Sequence, residues 1–77
     1  MNAKRRKEIE DIVSRLQCIY TELEELGSQE REAYENLPES FQDSERGEKM
    51  SEAADGIESA QDDVQSIIDS LEEIINN

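Results

Sequence analysis

Asn36-Leu37-Pro38-Glu39-Ser40-Phe41-Gln42-Asp43-Ser44 interrupts two long runs in which apolar residues recur every three or four positions. Proline disfavours helical geometry in the residue before it, so a helix arriving from the N-terminal side is expected to stop here. Ser40 or Ser44 can accept a hydrogen bond from the free amides of a second helix that starts on the far side. The turn is therefore placed near residues 37 to 44.

Upstream of this break, Ile9, Ile12, Leu16, Ile19, Leu23, Leu26, Glu30, Ala33 and Leu37 follow at alternating steps of three and four, with Glu30 the one polar member. Downstream, Met50, Ala53, Ile57, Ala60, Val64, Ile67, Leu71 and Ile74 repeat the spacing with no polar member. That period puts each set on one stripe of a helix, as in a coiled-coil seam with Ile9 at heptad position a. Val13, Tyr20 and Tyr34 widen the first stripe, and Ala54, Ile68 and Ile75 widen the second. Helix one is expected over about residues 3–36 and helix two over about 44–75, each roughly 50 Å long at about 1.5 Å per residue. Matched lengths around one turn predict an all-α fold over residues 1–77, an antiparallel two-helix hairpin of coiled-coil type forming a single domain.

Folding the chain back with a opposite d pairs Ile9 with Ile74, Leu16 with Ile67 and Leu23 with Ala60, and sets Gly27 opposite Gly56. A glycine inside a helix costs about 1 kcal/mol relative to alanine, so this pair predicts a close backbone approach or a bend. An early helix end at either glycine is the other reading. Leu37, Phe41 and Met50 are expected to close the turn end as an apolar cap. One hairpin leaves part of so wide a face wet, and small folds generally need further burial. A homodimer forming a four-helix bundle is expected, with Val13, Tyr20, Ile68 and Ile75 at the interface between copies.

The 21 acidic residues outnumber the 8 basic ones and leave a formal net charge of −13. Such a balance disfavours direct nucleic-acid binding and attraction to an anionic membrane, and it favours a basic protein partner. No apolar run approaches the roughly 18 residues of a membrane span. The basic start through Lys7 has the opening of a signal peptide, but Glu8, Glu10 and Asp11 stand where its apolar region would follow, so no export is expected. Cys18 has no second cysteine to pair with and faces outward as a surface thiol; the expected compartment is a reducing cytoplasm. Lys4, Arg5, Arg6 and Lys7 sit at the positive end of one helix dipole, and Glu72 and Glu73 at the negative end of the other. The hairpin is expected to bring these clusters together.

Histidine is absent and the carboxylates fall on solvent faces, so acid–base catalysis is not expected. Glu30 is the only acid on either seam, and Asp43-Ser44-Glu45-Arg46-Gly47 lacks the spacing of a calcium loop; neither a metal nor another cofactor is expected. Beyond Met50 stand Glu52, Asp55, Glu58, Asp62, Asp63, Asp69, Glu72 and Glu73, with no base among them. All but Asp63 take outward heptad positions. One carboxylate arises per roughly 5 Å of helix, the same order as the phosphate repeat of a nucleic-acid strand. Such a ridge suits a positively charged channel; a merely solubilising exterior is the plain alternative.

Tyr34-Glu35-Asn36-Leu37-Pro38-Glu39-Ser40-Phe41-Gln42-Asp43-Ser44-Glu45-Arg46-Gly47-Glu48-Lys49, with the basic start and the acidic second helix, resembles a group of short uncharacterised acidic helical-hairpin proteins of phages and prophages of Gram-positive bacteria. The likeness spans most of the chain, and the loop is its most distinctive part. It implies a phage setting, in which small acidic proteins frequently antagonise host defence, inhibitors of RNA-guided nucleases among them. The resulting expectation is a non-enzymatic, anti-CRISPR-like inhibitor and nucleic-acid mimic. Its Glu52, Asp55, Glu58, Asp62 and Asp69 would engage the basic groove of a host nucleic-acid-binding defence protein. Two alternatives stand beside it. One is a self-assembling helical scaffold without mimicry. The other is an oligomeric sponge for a small signalling nucleotide, with Arg15, Arg31, Arg46 and Lys49 as phosphate contacts.

Overall fold

The structure, a computed structural model, describes residues 1–77. It contains two long helices, α1 (Ala3–Glu35) and α3 (Glu45–Ile75), joined through a single helical turn, α2 (Glu39–Gln42). Helices α1 and α3 lie against each other as an antiparallel hairpin, giving a rod of 59 × 15 × 13 Å.

Each end follows from local chemistry. Asn2 caps α1, its Oδ1 accepting the Arg5 N–H at 2.8 Å. At the other end, Asn36 N–H donates to Glu32 O at 2.9 Å and Leu37 N–H to Tyr34 O at 3.1 Å, closing the last turn before Pro38. The Pro38 carbonyl then accepts Phe41 N–H at 2.8 Å and Gln42 N–H at 3.2 Å, which builds α2 inside the segment expected to form the turn. Of the two serine candidates, Ser44 caps α3: its Oγ accepts Gly47 N–H at 3.3 Å and donates to the Phe41 carbonyl. Glu45 and Glu48 occupy the first turn of α3, where the helix dipole favours negative charge.

The seam runs one column away from the expected one. In α1 the seam residues, all buried or half-buried, are Ile9, Val13, Leu16, Tyr20, Leu23, Gly27, Glu30 and Tyr34. In α3 they are Met50, Ala54, Ile57, Gln61, Val64, Ile68, Leu71 and Ile75. These are heptad positions a and e, and the buried apolar side chains among them are Val13, Ala54 and Ile68. Position d lies outside: Ile12, Ile19, Leu26, Ile67 and Ile74 are all exposed. The physical reason is a degeneracy. Steps from a to d and from a to e both alternate three and four, and one partner helix covers only two columns of a three-column face. Val13, Tyr20, Ile68 and Ile75, expected between copies, therefore belong to the hairpin's own seam.

The register moves with the seam. Gly27 lies against Ile57, where an added Cβ would sit 3.2 Å from Ile57 Cγ2, whereas Gly56 faces open space. The expected glycine pair is thus replaced by one close approach, of Gly27 to Ile57. Continuing this register levels Val13 with Leu71, Leu16 with Ile68 and Tyr20 with Val64. Phe41 is 57% exposed and does not cap the turn; Leu37 and Met50 are half-buried there without it. Lys4, Arg5, Arg6 and Lys7 make no ion pair with Glu72 or Glu73, because the chain's ion pairs are Arg31 with Asp55, Arg31 with Glu58, and Lys49 with Glu45.

Because nothing lies within 4 Å of a Cβ at position 56, Gly56→Ala removes only the helix-interior cost of glycine. The expected gain is about 1 kcal/mol, or a rise of roughly 4–8 °C in thermal midpoint for a chain of this size. A lowered midpoint in a circular-dichroism melt would instead reveal a contact or bend at Gly56.

Candidate functional site

The a and e columns of α3 face α1, which leaves its b, c and f columns to solvent. Glu52, Asp55, Glu58, Asp62 and Asp69 are all exposed there. Asp55, Asp62 and Asp69 recur every seven residues and so align along the helix about 10 Å apart.

Arg31 crosses from α1 to this row. Its Nη2 lies 2.6 Å from Asp55 Oδ1 and 3.4 Å from Glu58 Oε1. The hydrogen bond to Asp55, opposed by desolvation and aided by the charges of Asp55 and Glu58, holds the guanidinium above its already high ordinary pKa. The arginine therefore stays charged, and it spaces two of the five carboxylates without covering them: their side chains remain 68% and 57% exposed. Farther along, Gln65 Nε2 donates to Asp69 Oδ1 at 2.9 Å, and Gln61 Nε2 reaches back to Glu24 Oε2 on α1 at 3.4 Å. Glu52 and Asp62 carry no ion pair. Sequence reasoning named Arg31 only as a phosphate contact and did not place it in this site. The arginine occupies an outward position of α1, and only the register between the helices brings it level with the acids at 55 and 58.

A second surface is apolar. Leu26 is 52% exposed and Ile67 50%, and Ile12, Ile19 and Ile74 are exposed in the same columns. Ala33 on α1 and Ala53 and Ala60 on α3 complete the two columns and are exposed as well. Viewed along the rod, antiparallel helices turn in opposite senses. The two d columns, each one residue before the buried e column, consequently emerge on the same side of the hairpin. The b columns, with Arg31 and Glu58, emerge on the opposite side. One hairpin thus has an apolar side and a charged side.

The remaining cations are dispersed. Arg46 and Lys49 share a surface depression of about 500 Å³ with Glu30, Glu45 and Met50, and Lys49 Nζ lies 3.2 Å from Glu45 Oε1. Arg31 belongs to a separate depression lined by Glu24, Glu32, Glu35 and Glu58, and Arg15 stands exposed elsewhere on α1. Within one hairpin the four bases considered for phosphate contact are not brought together. Cys18 is exposed, and no helix is long and apolar enough to cross a membrane.

These features define the class of molecule, an acidic helical hairpin with one apolar and one charged side. No family model, curated protein or solved structure matches the chain.

Proposed function

We propose that this chain is a non-enzymatic interaction protein, a phage or prophage inhibitor of host defence that works in the cytoplasm. It presents Glu52, Asp55, Glu58, Asp62 and Asp69 to the basic nucleic-acid-binding groove of a host defence protein. The observation that supports this most directly is the exposure of all five carboxylates on one helix that bears no base beyond Met50. A helix holds its charges in a fixed array, so little ordering entropy is lost when a groove closes on it. Attraction between such an array and a basic groove acts mainly through charge, which makes the affinity fall with salt. In this reading the active form is a homodimer in which two hairpins make a four-helix bundle.

The test replaces the five acids with their amides, Glu→Gln and Asp→Asn, and measures displacement of labelled DNA from an RNA-guided nuclease of a Gram-positive host. The unmodified protein is expected to displace DNA, with potency falling at least about tenfold between low and physiological salt. The amide variant should keep its helicity and lose displacement. Undiminished potency in that variant would remove the mimicry. The exposed apolar columns favour a second reading, a self-assembling scaffold, in which the five substitutions change neither assembly nor partner capture.

A further inference from the structure

We infer that the apolar side seats a second copy of this chain in antiparallel orientation, so that the turn of each hairpin meets the basic tip of the other. This rests on the homodimer of the proposed function and assigns its face and direction.

The face comes first. From Ile12 to Ala33 on α1 and from Ala53 to Ile74 on α3 the exposed d columns are apolar, with Arg5 and Arg46 at their outer ends, whereas the buried e columns include Gly27 and Gln61. The hairpin therefore leaves its purest apolar columns in water. It exposes 5698 Å², about 900 Å² more than the roughly 4,800 Å² expected of a compact monomer of 8.8 kDa. A stable interface takes about 800 Å² from each partner, so one docked copy accounts for the excess.

The direction follows from size and charge. Along this face the side chains are graded, with Ile12 and Ile74 near the termini and Ala33 and Ala53 near the turn. A two-fold axis across the middle of the rod stacks α1 on the partner's α1 and α3 on the partner's α3. Ile12 then meets the partner's Ala33, Ile74 the partner's Ala53, and Ile67 the partner's Ala60. Each layer mixes large and small residues, as close packing requires. The parallel alternative crowds isoleucines into the terminal layer and leaves only alanines beside the turn, where a void would open. Charge agrees. Lys4, Arg5, Arg6 and Lys7 have no ion pair within the chain, and neither have Glu35, Glu39, Asp43 and Glu48 around the turn. Antiparallel docking brings ends of opposite charge to the same level, whereas parallel docking gathers the turn acids of both copies at one end.

Sedimentation of the full chain at micromolar concentration reads the stoichiometry, and pulsed electron–electron spin distances read the direction. The label sits on Ala3→Cys in a Cys18→Ser background; both positions are exposed. The expected result is a dimer with labels about 55 Å apart, against under about 25 Å for the parallel dimer. A dimer with the short distance overturns the orientation and leaves the proposed homodimer standing. A folded monomer overturns the docked copy altogether, while DNA displacement remains a separate test of the carboxylate ridge. Ile19→Glu with Ile67→Glu should convert dimer to monomer, and persistence of the dimer in that variant would put the interface elsewhere. The distance measurement uses an intact face, so it decides the matter whether or not the double variant folds.

Discussion

Gly47→Ala is expected to lower the thermal midpoint by roughly 10–20 °C, a loss of about 2–3 kcal/mol. On an exposed helix the same change would stabilise by about 1 kcal/mol, so even its sign is informative. Gly47 is buried in the first turn of α3, directly against the carbonyls of α2. An added Cβ would lie 2.5 Å from Phe41 O and 2.7 Å from the Gln42 carbonyl carbon, and it would also press on Gln42 O. These are backbone atoms, held by the Pro38 carbonyl through Phe41 and Gln42, and they cannot swing aside as a side-chain tip can. Relief would require α2 to lift away from α3. That movement would strain the bond from Ser44 N–H to Phe41 O at 3.1 Å and the cap in which Gly47 N–H donates to Ser44 Oγ. Loss of a serine cap alone costs about 1 kcal/mol. Melts at one fixed protein concentration measure the effect, since an associating chain gains stability with concentration. A midpoint equal to or above the parent would show that the corner is not packed in this way.

Ile68→Ala is expected to remove about 2–5 kcal/mol, because the side chain is 2% exposed and its loss leaves a cavity between α1 and α3. At about 0.05–0.15 kcal/mol per residue a chain this short has on the order of 4–12 kcal/mol in total, so the variant forfeits a large share of it. Ile67→Ala is the matched comparison, with identical chemistry one position away in the exposed column. Within a single hairpin it should cost far less, and any larger effect should vanish on dilution as the copies separate. Urea titrations at two concentrations distinguish the cases. Equal losses at high dilution would return the seam to the column of Ile67.

Much of the architecture was legible because it depends on neighbours in sequence. Pro38, the Ser44 cap and the apolar period act within a few residues, and they account for the turn and for two long helices on either side of it. Exposure of Glu52, Asp55, Glu58, Asp62 and Asp69 was legible for the same reason, since a helix turns its outward positions away from any partner on the opposite side. Three features were not. The column that α3 covers on α1 could not be read, because two choices share one spacing. The close approach falls at Gly27 and Ile57, and the tight corner at Gly47, because glycine reports that space is short without saying which atoms fill it. Arg31 joins the carboxylates only across the hairpin, from 24 and 27 residues away in sequence.

The sequence by itself determined two long amphipathic helices, the turn between them and the acidity of α3. Only tertiary structure decided which stripe of each helix would be covered and which would stay open. Helix periodicity is a local property of one chain segment, whereas burial depends on where the second helix settles over a face wider than it can cover.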